Sequence, residues 1–551
     1  MQQKITLMLL CTLVSVATMA QSTGERVYQI FQTNCVSCHS ASDPAAGLDL
    51  EGVGATAEAQ ALDVYTKIFE VTPNNSFAAA KGYEYITPGR PDLSMIFRKV
   101  NHGLEPTIEL DPQEGAPMPN GMPAISEVER EMIRQWILFG APIEGEVVPE
   151  TRIEEFYNGM GAVSFTEPPA PPPVGEGFQI KMGPFYLDPA GATDAEVEFF
   201  QKYALDLPDD VEVDRIDIKF SNYSRHFILY DFDNPAAANV IPEGLRLESF
   251  HNEISLTAAV QEPTDLRLPE NTAWYWDNDL VLDLNSHYIN YSATEVYQAE
   301  TYLNVYTKPT GTAMHEMETR LIVNGDIYIP NDGSQHEFSQ TYNPNLGEIY
   351  LWNIMGHTHQ WGTGYTAAKR ELFNETDLIY DGSCPGGVPG CASPFFDYQH
   401  IPPRYFDELL PLTMNNANGM IHHASWENYG DSPVWFGPTS DDEMMVMIIM
   451  FTRDSTGLNI LSTDKAQGLG TLEGVQLMPN PVQDVAFFSL PEAGSTYSFR
   501  LYDLMGREIF TELGIRGMEY VWQRQGLTDG MYVYRIEDET GRIATGKVRL
   551  E

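Results

Sequence analysis

Two cysteines and a histidine near the amino terminus, Cys35, Cys38 and His39, have a spacing that supports chemistry. Two thiols separated by two residues can add to the two vinyl groups of one porphyrin, and the adjacent imidazole can then ligate the iron. Redox dithiols and zinc sites share the Cys-x-x-Cys spacing. The immediate histidine favours covalent haem c, and no second Cys-x-x-Cys pair in the sequence completes a zinc site.

A distal iron ligand is available downstream in a Met-Pro loop, Gly115-Ala-Pro-Met118-Pro-Asn-Gly-Met122. A thioether is a soft ligand that suits low-spin haem iron and raises its reduction potential. We predict that Met118 is this ligand. Met122 competes for the role, and an ordinary surface-loop Met is the structural alternative for Met118.

A second cluster begins with His357-Thr-His359, which lies in a run of strand-forming residues. On a strand, residues i and i+2 point to the same face, so both imidazoles can bind one metal ion. Met444, which opens a later Met-rich strand, is a candidate third ligand. Two imidazoles and a thioether favour copper, especially Cu(I), over zinc or magnesium. A core Met is the alternative for Met444.

Four further histidines occur in strand-like apolar runs. His226 and His287 each occur singly, and a lone buried histidine is more often a hydrogen-bonded core residue than a ligand. His422 and His423 are adjacent, and adjacent strand residues point to opposite faces. We therefore predict that the adjacent pair is structural or supports neighbouring groups.

The ordered set of a His segment, His-Tyr, His-Thr-His and Asp-Glu-Met resembles the type II, ascorbate-dependent copper monooxygenases, such as peptidylglycine α-hydroxylating and dopamine β-monooxygenases. The resemblance covers roughly residues 179–451. It implies two consecutive jelly-roll domains with one copper each. It also implies a catalytic copper at His357, His359 and Met444 that activates O2 for hydroxylation.

The sequence departs from that family at the electron-transfer copper. The family's three histidines correspond here to Arg225, His226 and His287, and a guanidinium stays protonated and offers no free lone pair. This site is expected to be empty, to bind copper weakly through two histidines, or to borrow another histidine such as His251. Met355 stands where peptide-amidating members carry an Arg that grips a carboxylate, which disfavours a glycine-extended peptide substrate.

The elements that must position these residues fall into several modules, because 551 residues exceed the usual size of one hydrophobic core. A Lys followed by a short apolar stretch and small residues predicts a signal peptide over 1–20 rather than a bilayer anchor. Helical patterns, together with a resemblance to class I cytochrome c domains of bacterial multidomain oxidoreductases, predict an α-helical cytochrome c domain over 24–143. A Pro-rich linker over 144–178 is expected to be an extended spacer.

Alternating polar and apolar runs predict two all-β, jelly-roll-like sandwiches over 179–310 and 311–455. The last module, 468–551, resembles the type A sorting domain of the type IX secretion system through motifs that include Met478-Pro-Asn-Pro481 and Gly546-Lys547. This resemblance implies an immunoglobulin-like β-sandwich, export across the outer membrane of a Bacteroidetes-type cell, contact with the secretion machinery and removal of the module. An immunoglobulin-like binding module is the alternative.

The composition limits the partners. Asp+Glu 78 against Lys+Arg 32 gives a net charge of -46, which repels nucleic acid and anionic membranes. After the leader, no run has the ~20 apolar residues of a membrane-spanning helix. Cys384 and Cys391 lie in a Gly/Pro-rich loop, and in an exported protein they are predicted to form a disulfide, with two free thiols as the alternative.

Together these features predict a secreted, copper-dependent monooxygenase with a fused haem as electron donor, acting with O2 and an external reductant on a small-molecule or peptide substrate. The main alternative is a secreted haem and copper electron-transfer or copper-binding protein without hydroxylase activity. A third is a cell-surface binding module built on a degenerate enzyme scaffold.

Overall fold

The computed structural model describes residues 21–551, except 222, 233–234, 250–254, 393–394, 438–440, 462–471, 473, 492–493, 504–507, 525 and 539–541. The predicted signal peptide and the candidate ligand His251 lie outside the described residues. The chain divides into two compact units. The first holds the residues up to Tyr405 together with Leu412–Leu458, and the second holds Phe406–Pro411 and the residues from Asn459 onward.

The described residues form six α-helices, all in the amino-terminal part. They are α1 (Thr23–Asn34), α2 (Ala57–Ile68), α3 (Ser76–Ala80), α4 (Met95–Val100), α5 (Glu127–Leu138) and α6 (Glu150–Glu155). Ser22 begins α1 and Ser126 begins α5, each through the reciprocal hydrogen bonds of a capping box. The longest of the six has 12 residues.

Strands account for most of the remaining regular structure. The first sixteen in chain order are β1 (His39–Ser40), β2 (Asp43–Pro44), β3 (Gly161–Val163), β4 (Gly177–Leu187), β5 (Glu196–Ala204), β6 (Val211–Lys219), β7 (Ser224–Asp231), β8 (Leu245–Arg246), β9 (Ser255–Val260), β10 (Thr264–Arg267), β11 (Thr272–Trp276), β12 (Val281–Ile289), β13 (Val296–Pro309), β14 (His315–Glu316), β15 (Glu318–Val323) and β16 (Tyr328–Ile329). The later strands are β17 (Gln335–Tyr342), β18 (Gly347–His357), β19 (Gly362–Glu371), β20 (Asn374–Asp381), β21 (Arg404–Met414), β22 (Gly419–Glu427), β23 (Val434–Trp435), β24 (Val446–Thr452), β25 (Gln476–Met478), β26 (Val485–Ser489), β27 (Thr496–Tyr502), β28 (Glu508–Arg516), β29 (Glu519–Gln523), β30 (Gly530–Asp538) and β31 (Ile543–Leu550).

The predicted α-helical cytochrome c domain over 24–143 is wrong, and with it the predicted fold class. The chain is mostly β-sheet, with 43% strand against 15% helix, and its strands are divided among many small sheets. The buried cluster of the short helices of 24–143 is not confined to that segment. Tyr186 of β4 and Val296 of β13 belong to the same buried cluster as Phe31 of α1 and Trp136 of α5. An amphipathic pattern predicts a helix, but not whether helices pack on one another or on a sheet.

Four sheets of four or more strands build the first unit. Their orders are β14-β11-β6-β13-β3 with β10 beside β6 and β4 beside β13, then β8-β5-β12-β7-β9, β15-β24-β18-β21 and β17-β22-β19-β20. In the second sheet, β7 and β12 are antiparallel neighbours whose register places His226 opposite His287. In the third, β18 pairs with β24, so that its last residue, His357, lies opposite Val446. None of the helices in the described residues is long and apolar enough to cross a membrane.

The Pro-rich segment before β4 is held against the sheet rather than left as a free spacer. Of the predicted linker, 144–178, residues 150–155 form α6 and residues 161–163 form β3, while residues 164–176 form neither helix nor strand. Gln179 of β4 donates a hydrogen bond to the carbonyl oxygen of Pro169 at 2.9 Å, and Asn304 of β13 donates to that of Ala170 at 3.0 Å. The polyproline composition thus predicts the extended backbone, while side chains of two strands fix its position.

A buried ionic network fastens α5 to β4. Arg134 lies 3.1 Å from Glu105 and also pairs with Glu131, and Lys181 of β4 pairs with the same Glu105 carboxylate. Burial alone would raise the pKa of Glu105, but the charges of Lys181 and Arg134 outweigh it and lower that pKa to about 2. The amino-terminal helices are therefore docked on the sheet by charge as well as by apolar packing.

Replacing Glu105 by Gln is expected to lower the free energy of unfolding of the first unit by about 3 kcal/mol at pH 7. The folded pKa lies below the ~4.3 of an unfolded Glu, so this stabilisation is present above that value and is lost as the pH falls towards 2. Denaturant unfolding of the wild type and E105Q at pH 7 and pH 3 measures the effect, with the exposed Glu109→Gln as control. A difference that does not shrink at pH 3 contradicts the assignment.

The second unit has a core of its own. Two sheets, β25-β26-β29 and β28-β27-β30-β31, face each other across buried aromatic side chains. Phe488, Phe499 and Trp522 are 0–1% exposed, and the Phe488 and Phe499 rings lie 5.0 Å apart. Offset and edge contacts between such rings add to the apolar burial that closes the module.

Candidate functional site

Four histidines predicted from the sequence line one cavity of about 220 Å³ in the first unit. His226 and His287 come from β7 and β12, and their ring centres lie 5.4 Å apart. His357 ends β18, and its ring centre lies 5.2 Å from that of His359 and 6.3 Å from that of His226. Two imidazoles that bind one tetrahedral metal through nitrogens at ~2 Å have ring centres about 5 Å apart. Each pair therefore has a spacing compatible with a shared metal ion.

A joint apolar core holds the two pairs next to each other. Phe200, Tyr230 and Leu256 on one side pack in the same buried cluster as Met355, Val446 and Ile448 on the other. The hydroxyl of Thr319 on β15 donates to the carbonyl oxygen of Thr257 on β9 at 2.8 Å. Because β7 and β9 are neighbours, as are β15 and β24, these contacts fix the distance between the histidine-bearing strands.

His357 and His359 are anchored through the same ring nitrogen. His359 Nδ1 donates to the carbonyl oxygen of Asp442 at 3.0 Å, and the Gln261 amide lies 3.2 Å from His357 Nδ1. Burial lowers the pKa of both rings, and the neighbouring imidazoles lower that of His357 further. Neutral imidazoles anchored at Nδ1 present Nε2 to the cavity, as histidine metal ligands commonly do.

His226 and His287 are held through the opposite nitrogen, by carboxylates that the sequence analysis did not single out. His226 Nε2 lies 3.3 Å from a Glu198 oxygen, and His287 Nε2 lies 3.0 Å from a Glu196 oxygen. Burial raises the pKa of Glu198, but its hydrogen bond and charge interaction with His226 outweigh this and lower it. The Nε2 atoms of these two rings therefore contact carboxylates, whereas His357 and His359 are held through Nδ1.

Met444, the predicted third ligand of His357 and His359, does not line the cavity. Its side chain packs against the apolar cluster around Met355 and Val446. Within the part of the chain that the structure describes, no three His, Cys, Asp or Glu side chains converge on a metal position. The structure thus brings the two imidazole pairs together, and the thioether lies on the apolar side.

Glu443, the residue before Met444, organises the histidine loop. Its side chain is fully buried, and its carboxylate accepts hydrogen bonds from the backbone N–H groups of His359 and Trp361 and from the indole of Trp426, at 2.7–2.8 Å. Burial outweighs these bonds and raises the pKa of Glu443 to about 7. The sequence analysis did not single out Glu443. The pattern that could have indicated its role is an acidic residue directly before a Met-rich apolar strand.

Arg225 lines the cavity beside His226. Its guanidinium lies 5.6 Å from the ring centre of Tyr291 in a cation–π contact. A fixed positive charge at this position opposes a metal ion at His226 and His287.

His422 and His423 point to opposite faces of β22. His422 is fully buried between the Tyr365 hydroxyl at 2.6 Å and the Gln340 amide oxygen at 2.9 Å, and burial lowers its pKa to about 4. His423 lies about 3 Å from carboxylates of Glu337 and Glu375. Both rings have hydrogen-bonding partners away from the four-histidine cavity.

The amino-terminal cluster offers the groups that a covalent haem needs. Cys35 and Cys38 are free thiols directly after α1. The Cys35 thiol is buried, which raises its pKa to about 12, and Cys38 is exposed. His39 Nδ1 lies 3.2 Å from the carbonyl oxygen of Leu48, which leaves Nε2 for a metal.

The two candidate iron ligands of the Met-Pro loop, Met118 and Met122, differ in burial. Met118 is half-buried and packs against the same core as Cys35, and its backbone N–H donates to the carbonyl oxygen of Lys99. Met122 is 61% exposed. If a haem is attached at Cys35 and Cys38, Met118 rather than Met122 would be positioned by the core to ligate its iron.

Cys384 and Cys391 are joined by a disulfide across the Gly/Pro-rich loop. The loop follows β20, and Cys384 is buried at its base. This bond closes a short loop in the same unit as the histidine cavity.

Comparison with known proteins identifies the second unit. Residues 476–549 match the family described as secretion system C-terminal sorting domain. The chain therefore carries a type IX secretion sorting domain, which indicates export to the cell surface or the medium and interaction with the secretion machinery. The predicted boundaries, 468–551, contain this match.

Comparison with solved structures gives similarities at low sequence identity and low TM-score. No curated protein matches the sequence. A peptide-N4-(N-acetyl-β-D-glucosaminyl)asparagine amidase is 12% identical, with 50% of this chain and 96% of that chain covered, at a TM-score of 0.24. A Parabacteroides merdae β-glucuronidase is 9% identical, with 40% and 30% covered, at 0.14. Similarities this weak carry no argument about fold or activity.

Proposed function

We propose that this chain is a secreted, copper-dependent oxidoreductase of the monooxygenase type, with its metal site at His357 and His359. The observation that supports it is the single cavity lined by four histidines from three different strands and the loop after β18. His357 and His359 would hold the copper through Nε2, and bound copper supplies the one-electron and O2 chemistry that side chains lack.

The chain's own residues contribute position and charge. Gln261 and the Asp442 carbonyl orient the two ligand rings, and the Glu443 carboxylate holds the backbone of the loop that carries His359. Hydroxylation inserts one atom of O2 into a C–H bond and reduces the other to water, which consumes two electrons and two protons. An external reductant must supply those electrons.

We further propose that Cys35 and Cys38 attach a haem and that His39 and Met118 ligate its iron, giving the chain its own electron-transfer group. The free thiols, the Leu48 contact at His39 Nδ1 and the anchored Met118 support this assignment. Arg225 stands where the resembled family has a third histidine beside His226 and His287, so the second copper site lacks one ligand. The haem could then supply the electrons that the second copper supplies in that family.

Electron flow between the two centres tests the redox proposal. The haem of the full-length protein is reduced chemically and freed of reductant, then copper and O2 are added and haem absorption is followed. We expect copper to accelerate haem reoxidation in the wild type but not in H357A. Equal rates in both proteins contradict haem-to-copper transfer.

The covalent haem has a test of its own. Replacing Cys35 and Cys38 together by Ala is expected to abolish haem that survives denaturation, because both thioether bonds are lost. Intact-protein mass and the absorption spectrum of protein made in a strain that matures c-type cytochromes measure this. The double change of Cys384 and Cys391 to Ala is the matched control and should retain the haem. Absence of covalent haem from the wild type contradicts the assignment.

A secreted copper-binding or electron-transfer protein without hydroxylase activity is the second candidate function. It is favoured by Met444, whose side chain lies against the apolar cluster instead of lining the cavity. Copper binding without substrate-dependent O2 consumption would support it.

A further inference from the structure

A second cavity, which we call the side cavity, adjoins the four-histidine cavity. Its volume is about 170 Å³, and the two cavities share the lining residue Gln261. Met355 and His357 are two residues apart on β18, so their side chains leave the same face of the strand. Met355 lines the side cavity while His357 lines the histidine cavity.

The walls of the side cavity are mainly apolar. Val260, Met355, Ile401 and Met450 are buried residues of this wall, and Ala259 lies beside them. An apolar cavity of ~150 Å³ is large enough to bind benzene, so this one can take a single aryl ring. Its ionisable lining residues are Glu262, His400 and Tyr405, and Thr264 and Asn353 add uncharged polar groups.

One buried polar group at the junction has an unused hydrogen-bonding end. The Gln261 amide contacts His357 through Nε2, and in the described residues its Oε1 is buried without a hydrogen-bond partner. The two ends of an amide have nearly the same shape, and turning it would bring Oε1 to His357 and leave Nε2 unpaired instead. In either orientation one end is buried without a partner, which is unfavourable until a ligand supplies one.

The role proposed for His357 selects between the two orientations. A ring that binds metal through Nε2 carries its proton on Nδ1, so the amide oxygen must face it. The amide N–H groups then remain for a ligand at the junction. They require an acceptor, such as a hydroxyl or carbonyl oxygen.

We propose that the side cavity is the substrate cavity of this centre and that it takes an uncharged, aryl-sized molecule whose hydroxyl or carbonyl oxygen accepts a hydrogen bond from Gln261. The proposal rests on the copper site at His357 and His359 for its chemistry, but the cavity itself exists without metal. An anionic ligand is disfavoured because the apolar wall would bury an unpaired charge.

Benzyl alcohol and benzoate, which share a ring and differ in charge, are the probes. Calorimetric titration of the full-length, metal-free protein is expected to give saturable 1:1 binding of benzyl alcohol and at least about tenfold weaker binding of benzoate. Ala259→Phe and Ile401→Phe fill the cavity from two different elements and are each expected to weaken benzyl alcohol at least about tenfold. Thermal melts check that each variant is folded.

The amide contact is tested by Gln261→Leu. This change is expected to weaken benzyl alcohol by about tenfold without weakening toluene, which has no oxygen to lose a hydrogen bond. The proposal is overturned if benzyl alcohol does not bind saturably, if both folded Phe variants bind it like the wild type, or if benzoate binds more tightly. It is also overturned if Q261L weakens both probes equally. These titrations use metal-free protein, so a negative result would concern the side cavity alone. The copper site is tested separately by the copper content per chain.

Discussion

Replacing His357 by Ala is expected to weaken copper binding by at least about a hundredfold. Loss of a residue that only supports a metal ligand already costs about 10–100-fold in metal affinity, and loss of the ligand itself should cost at least as much. In the proposed site His357 provides one of two Nε2 donors, and the remaining His359 would not hold copper tightly alone. Competition titration of the full-length protein against a chelator of known affinity measures the effect. His359→Ala should give a similar loss.

His336 provides the matched control for these substitutions. It lies on β17, 3.0 Å from Asp332, and does not line the histidine cavity. His336→Ala should leave the copper affinity unchanged. If H357A binds copper as tightly as H336A, the metal is held elsewhere in the chain, and the assignment of His357 is wrong.

Replacing Arg225 by His is expected to raise the copper content from one to two ions per chain. His226 and His287 already face each other with ring centres 5.4 Å apart, and the substitution replaces a fixed positive charge with a third imidazole beside them. Metal analysis after copper loading and desalting measures the stoichiometry.

Arg225→Gln separates charge from ligation. It removes the guanidinium but adds no imidazole, so we expect at most weak binding at the second site. Two tightly bound copper ions in the wild type would show that Arg225 does not block that site. One ion in both the wild type and R225H would show that the carboxylate contacts of His226 and His287 prevent binding instead.

The sequence predicted that His357 and His359 share one face of a strand, but it did not predict that His226 and His287 line the same cavity. The pairing of β7 with β12, which places His226 opposite His287, depends on strand order that the histidine motifs do not encode. Glu196 and Glu198 reach those two rings through cross-strand register, which composition does not fix. Gln261 reaches His357 from a separate strand end and belongs to no motif.

The errors have identifiable physical origins. The helical periodicity around α1 and α5 is real, yet their apolar faces pack partly on β4 and β13, so no separate helical domain forms. The Met444 ligand stays a prediction rather than an error, and the structure shows which contacts its side chain makes. The Glu443 carboxylate takes up the hydrogen bonds of the histidine loop, and the Met444 side chain packs on the apolar cluster. Which side a strand-end residue faces depends on tertiary contacts that a single sequence does not encode locally.

In the Pro-rich segment, too, the local sequence predicts the backbone conformation but not the tertiary contacts. Its composition predicts an extended backbone, and the structure has no helix or strand there. The hydrogen bonds from Gln179 and Asn304 tie it to β4 and β13, and the Glu105 network ties α5 to β4. An electron-transfer group attached at Cys35 would therefore be carried on a docked segment rather than on a free tether.

Copper content is the measurement that tests the central claim most directly. The full-length protein is loaded with copper, passed through a desalting column and analysed for copper and iron per chain, beside the double variant H357A/H359A. The proposed site predicts one copper per wild-type chain and none in the double variant, with iron unchanged between them. A wild-type chain without copper, or a double variant that retains it, would contradict a metal centre at these histidines.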